Sequence, residues 1–246
     1  MSRLRGILFD KDGTLVDFDR TWGPAAYAVM GVLAEGDRAS LDRLMTVSHY
    51  VEAERRFLPT SPLIAGSSAA YGPLWAEVLG RAPGPSFFTE MDRLFRQEGL
   101  RALTPIGEPA NLAERLAGAG YALGIATNDA EASARAQARA LGLDSHLGFV
   151  AGYDSGYGQK PDPGMVAAFA DSLSVPADRV AVVGDSAYDL IAARAAGAVA
   201  IAVLSGPAGA SARADVEPLA DHVIGSIAEL PDLLSRLLFP LVRESG

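Results

Sequence analysis

The 246-residue sequence contains no cysteine, which excludes disulfides, thiolate nucleophiles and cysteine-held metals. Lysine is almost as scarce: only Lys11 and Lys160 occur, and every other member of the 21 basic residues is arginine. A lysine kept against that bias carries more information than usual. Positive charge is short overall, with 21 Lys and Arg against 30 Asp and Glu for a formal net charge of −9. That balance argues against nonspecific nucleic-acid or anionic-membrane binding, which need basic patches. No apolar stretch approaches the roughly 18 residues of a membrane span, and no secretory apolar region follows Met1-Ser2-Arg3-Leu4-Arg5, which runs directly into a strand-like segment. The expected location is the cytoplasm.

What is present is an ordered globular composition, 49% hydrophobic and 21% charged, in a chain long enough for one large domain or a core with a smaller companion. Leu4–Asp10 reads as a strand. From Thr21 to about Gly99 the patterns are helical, at Ala25–Glu35, Leu41–Phe57 and Phe88–Gln97, broken by Pro59, Pro62, Gly66, Gly72 and a Gly/Pro-rich loop near residues 80–85. After Thr104-Pro105, strands and helices alternate. The strands are expected at Tyr121–Thr127, Gly148–Gly152, Arg179–Asp185, Val199–Val203 and Asp221–Ile224. The helices are expected at Asn111–Ala119, Ala130–Leu141, Pro163–Leu173 (Asp162 as N-cap, Pro163 at N1), Tyr188–Ala196 and near Ile227–Leu238. Apolar strands alternating with helices predict a parallel sheet covered on both faces. The fold class is therefore α/β, a Rossmann-like core with an inserted all-helical domain. The core is assigned to residues 1–16 and 101–246 and the insert to 17–100.

Ligands of open α/β sheets bind beyond the carboxyl ends of the strands. The first strand ends in Asp10-Lys11-Asp12-Gly13-Thr14, placing two carboxylates on one side of an extended segment. Such a concentration of negative charge calls for a cation or a shared proton, and it suits a Mg²⁺ site in which one carboxylate attacks phosphorus and the other moves a proton. Later strands end in Thr127-Asn128-Asp129 and Gly184-Asp185-Ser186, with Asp189 one turn beyond. Lys160 follows a glycine-rich loop. All fall on one sheet edge.

These pieces, in this order and spacing, resemble the haloacid dehalogenase superfamily of phosphohydrolases, and the insert resembles the helical cap of its phosphoglycolate-phosphatase-like branch. The resemblance implies Asp10 as nucleophile and Asp12 as acid and base. It implies Mg²⁺ held by Asp10, the Asp12 carbonyl and Asp185, with Asp189 supporting that shell or orienting Lys160. Thr127 and Asn128 would bind the phosphoryl oxygens, and Lys160 would neutralise their charge. Acceleration of phosphate-monoester hydrolysis can reach ~10²¹-fold, which explains a need for both metal and lysine.

Asp12 separates phosphoryl transfer from dehalogenation, which needs no protonation of the leaving group. The insert holds no lysine, which argues against phosphonate cleavage through a Schiff base. Val16–Trp22 contains Thr21 but no histidine, which disfavours a mutase of the β-phosphoglucomutase type. The expected activity is hydrolysis of a small phosphorylated metabolite of the phosphoglycolate kind, by a monomer or homodimer. A sugar-phosphate mutase and a non-catalytic phosphate-binding module are the alternatives. Lys11 departs from the usual apolar residue between the two aspartates, and alternation points it away from Asp10. Candidate substrate contacts from the insert are Arg20, His49 (on a helix face), Arg55, Arg56 and Ser61. Trp22 and Trp75 read as core of the insert, and His146 and His222 as surface or strand-end residues.

Overall fold

Alternate residues of each short apolar run feed different cores. In β1 (Gly6–Phe9), Ile7 and Phe9 join a cluster with Leu112, Leu116 and Leu230, and Leu8 joins a second with Val166, Phe169 and Leu190. β6 (Val180–Gly184) divides in the same way, as does β7 (Val199–Val203), with Ile201 and Val203 on one face and Ala200 and Ala202 on the other. A period of two with apolar residues at both phases is what a strand covered on both faces requires. The covers are α5 (Pro109–Gly118), α6 (Glu131–Ala140) and α10 (Leu230–Leu238) on one side. On the other lie α7 (Gly164–Ser172) and α8 (Ala187–Ala196).

The computed structural model describes residues 4–64 and 66–238; the expectations for Met1–Arg3 and for the end of the core at 246 lie outside them. β4 (Ala122–Ala126), β5 (Leu147–Ala151) and β8 (His222–Ile224) complete a six-stranded parallel sheet of order β5-β4-β1-β6-β7-β8. Phe9 stands opposite Ile125 on one side and Val183 on the other. The strand order reverses at β1, which opens a crevice at the carboxyl ends of β1 and its neighbours.

Between β1 and β4 lies a helical insert with its own core around Met30, Leu44, Trp75, Met91 and Phe95. It comprises α1 (Phe18–Leu33), α2 (Arg38–Val47), α3 (Ser68–Val78) and α4 (Pro85–Arg101). One feature adds to the all-helical expectation, a ribbon of β2 (Tyr50–Val51) and β3 (Arg56–Phe57). The helix expected over Leu41–Phe57 stops at Val47, because buried Ser48 is anchored outside it. Its hydroxyl accepts from Trp75 Nε1 at 2.9 Å and its carbonyl from Ser61 Oγ at 2.7 Å. His49 follows at φ 50°, so it sits in a turn and not on a helix face. A second difference is small. α7 begins at Gly164, with Pro163 as N-cap and no side-chain cap from Asp162. The Tyr157 carbonyl lies 1.9 Å from where a Cβ on residue 164 would stand, so the loop seats closely on a helix start that has no side chain. No described helix is long and apolar enough to cross a membrane.

Candidate active site

The Asp10 amide continues the β1 ladder by donating to Val183 O at 2.8 Å, after which the chain turns back with the Leu15 and Val16 amides both on Lys11 O. Gly13 holds the turn at φ 86°, a conformation that favours glycine. A Cβ there would stand 2.5 Å from Asp185 Oδ2, and one on Gly206 would stand 1.8 Å from the same atom. The two glycines therefore leave Asp185 seated against bare backbone at the end of β6.

Lys160 crosses from the loop after β5 to the end of β1. Its Nζ donates to Asp10 Oδ1 at 2.5 Å, Asp189 Oδ1 at 2.6 Å and Ala126 O at 3.0 Å. Burial works against the ammonium, but the two carboxylates outweigh it and hold Lys160 above its ordinary range. Asp189 is fixed by its second oxygen, which accepts from the Ser186 amide at 3.1 Å and hydroxyl at 2.6 Å, closing a capping box at the start of α8. Asn128 also serves Lys160. Its amide nitrogen donates to Lys160 O and its carbonyl oxygen accepts from Lys160 N, both at 2.9 Å. Thr127 is buried at the end of β4, where its Oγ1 accepts from the Asp129 amide at 3.0 Å.

Carboxyl oxygens of Asp10, Asp185 and Asp189 lie within 4.8 Å of one another. Burial pushes Asp10 up to about 7; Lys160 opposes this, and the charges on Asp189 and Asp12 add to it. Burial raises Asp185 well above the ordinary carboxylate range, and Asp10 and Asp189 raise it further. One ammonium is too little charge for this cluster. An all-oxygen, charge-deficient donor set fits a hard divalent cation such as Mg²⁺ rather than a soft metal.

Lys11 is the residue whose role the sequence leaves unread. It points away from Asp10, as alternation requires, yet it is only 1% exposed. Its Nζ lies 2.8 and 2.7 Å from the two Asp12 oxygens, 3.1 Å from Asp129 Oδ2 and 2.8 Å from Gln137 Oε1 on α6. Trp22, from the first helix of the insert, donates its Nε1 to Asp12 Oδ1 at 2.5 Å. The Asp12 carboxylate is thus held by lysine and indole, outside the Asp10, Asp185 and Asp189 cluster.

Asp10, Asp12, Thr127, Asn128, Lys160 and Asp185 line one cavity, whose other wall comes from the insert as Phe18, Trp22, Phe57, Leu63, Tyr71 and Phe95. Trp22 and Trp75 are both core of the insert as expected, and Trp22 also forms part of this wall. None of the five expected contacts from the insert lines the cavity. Arg20 and His49 are exposed, and His49 pairs with Thr60. Arg55 covers the Tyr27 ring, Arg56 pairs with Glu54, and Ser61 is taken up by Ser48. Thr21 accepts from the Thr104 amide and so ties the insert to the segment that returns to the sheet.

The chain is 36% identical to a phosphoglycolate phosphatase of Rhodospirillum rubrum over 82% of its own length and 79% of that protein. It is 31% identical to one of Chromobacterium violaceum over 95% and 98% respectively. The crystal structure of a predicted phosphoglycolate phosphatase from Haemophilus somnus superposes with a TM-score of 0.70 at 20% identity, covering 95% of this chain and 99% of that one, and so shares the fold. The model of the haloacid dehalogenase-like hydrolases matches residues 4–197. The chain belongs to the haloacid dehalogenase-like hydrolase family.

Proposed function

We propose that this hydrolase is a Mg²⁺-dependent phosphatase that cleaves small phosphorylated metabolites through an aspartyl-phosphate on Asp10. The observation that carries the reading is the Lys160 bridge between Asp10 at 2.5 Å and Asp189 at 2.6 Å, beside Asp185 and in the same cavity as Asp12. The names of relatives matched over most of their length support it.

Asp10 Oδ attacks phosphorus while the bond from phosphorus to the alcohol oxygen breaks. Asp12 delivers a proton to that oxygen, so that a neutral alcohol leaves. Asp12 then takes a proton from water as the water oxygen bonds to phosphorus and the acyl phosphate opens, which restores Asp10 and releases inorganic phosphate. Thr127 and the Asn128 backbone receive the phosphoryl oxygens, and Lys160 balances their charge. Mg²⁺ held by Asp10, the Asp12 carbonyl and Asp185 would supply further charge neutralisation. Asp189, with one oxygen on Lys160 and the other on Ser186, orients the lysine. The insert, residues 17–100, closes over the site and limits substrate size. The net charge of −9 supports an enzyme without nucleic-acid or anionic-membrane partners, and a cytoplasmic monomer or homodimer completes the proposal.

The test is phosphate release from phosphoglycolate, sugar phosphates and nucleotides, with Mg²⁺ and with EDTA, beside Asp10→Asn. Release that needs Mg²⁺ and disappears in Asp10→Asn is expected. Normal turnover by Asp10→Asn would overturn the mechanism.

A further inference from the structure

Asp12 must meet the leaving oxygen at hydrogen-bonding distance, yet its carboxylate hangs from a turn by two rotatable bonds. Three donor contacts fix it. Lys11 Nζ reaches both oxygens and Trp22 Nε1 reaches Oδ1. The two donors also meet each other, with Nζ 4.8 Å from the centre of the indole ring. Lys11 is fixed in turn by Asp129 and Gln137. Trp22 is fixed by Gly99 on α4, where a Cβ would come within 2.7 Å of the ring, and by the edge-on ring of Phe95 at 5.9 Å. Every other basic residue of the chain outside the Lys160 bridge is arginine. A compact ammonium, unlike a planar guanidinium, fits the gap between Asp12, Asp129 and an indole face.

From this arrangement we propose that Lys11 and Trp22 are positioning residues that aim Asp12 for proton transfer, and that Trp22 ties that aim to the seating of the insert. The proposal rests on the phosphatase reading. Lys11, Asp129 and Gln137 belong to the sheet and its helices, and Trp22 to α1. When the insert sits on the sheet the carboxylate has all its donors; when α1 lifts, the indole leaves and Oδ1 loses a partner. The proton donor is then complete only over an enclosed substrate. A misplacement of about 1 Å in such a group can cost on the order of 10²-fold in rate.

The leaving group separates positioning from simple structural support. p-Nitrophenyl phosphate releases a stable phenolate that needs little protonation, whereas a primary alkyl phosphate must have its alkoxide protonated. The measurement is the single-turnover rate of alcohol release, taken for p-nitrophenyl phosphate and for whichever of phosphoglycolate or the sugar phosphates turns over fastest. Trp22→Phe keeps an aromatic ring and removes the N–H; Lys11→Met removes the ammonium. Each is expected to slow the alkyl ester roughly 10- to 100-fold and the aryl ester by less than about threefold, with KM nearly unchanged. Asp12→Asn should show the same split, larger. Equal losses on both esters, or no loss on either, would overturn the proposal while leaving the phosphatase reading intact. Wild type inert toward both esters with Mg²⁺ would overturn both. Should Lys11→Met fail to fold, Trp22→Phe decides alone.

Discussion

Lys160 and Lys11 are both buried, and each is shared between two carboxylates: Asp10 and Asp189 for the first, Asp12 and Asp129 for the second. The two ion groups differ in what surrounds them. Around Lys160 the negative charge is in excess, since Asp185 stands by without an ammonium of its own and Asp10 is pushed up to about 7. Around Lys11 the remaining contacts are an amide oxygen and an indole. The first arrangement leaves room for a cation and a phosphoryl group. The second is closed by Gln137 and Trp22 and holds its two carboxylates in place. A similar pairing of charges can thus build a binding site or a clamp, according to whether a further unpaired carboxylate stands beside it.

The largest expected effects break the first group. Asp10→Asn should abolish turnover, and Lys160→Met should lower it by roughly 10²- to 10³-fold, as for loss of one charge-stabilising donor, both read as phosphate release. Breaking a buried pair costs roughly 3–5 kcal/mol, so urea denaturation should show both Lys160→Met and Lys11→Met destabilised by about that amount. Mg²⁺ should recover more of the loss in Lys160→Met, where a cation can take the vacated charge, than in Lys11→Met. Equal recovery would erase the distinction between the two ion groups.

Acidity sharpens the same contrast. Asp10 titrates near 3.8 when unfolded and at about 7 in the fold, so between those values the folded state holds a proton that the unfolded state has lost. Stability of the metal-free protein therefore falls as pH rises through that window, and Asp10→Asn should flatten the slope of melting temperature against pH. Because the cation needs ionised carboxylates, Mg²⁺ should raise the melting temperature more near pH 8 than near pH 5. The smallest effect belongs to the exposed face of the insert: Arg20→Ala should leave kcat unchanged and shift stability by less than about 0.5 kcal/mol.

The sequence made the sheet and the Lys160 group legible because both depend on local order. An apolar run ends where its first polar residue stands, and parallel strands bring their carboxyl ends to one edge, so Asp10, Thr127 and Asp185 meet without knowledge of packing. The apolar run Val199–Val203 is a strand over the bounds expected of it. The Lys11 group was not legible because its members meet across a helix junction. Gln137 sits inside an alanine-rich helix that reads as nothing more than a good helix former. Trp22 is core, and only the angle of α1 shows that its indole N–H also reaches Asp12. The scarcity of lysine was the one available signal, and it applied to Lys11 as fully as to Lys160. The ribbon at 50–57 was hidden for another reason: Tyr50, Val51 and Phe57 fit a helical spacing, and only the anchoring of Ser48 breaks it.

The seclusion of both lysines, 1% and 5% exposed, has a consequence for labelling chemistry. Amine-directed acylating reagents meet no solvent-facing side-chain amine anywhere on this chain. Their slow reaction with Lys11 would time the lifting of the insert, and their reaction with Lys160 would time the opening of the sheet edge. Two native positions thereby become separate clocks for the two halves of the site, resolved by the mass of the modified peptides.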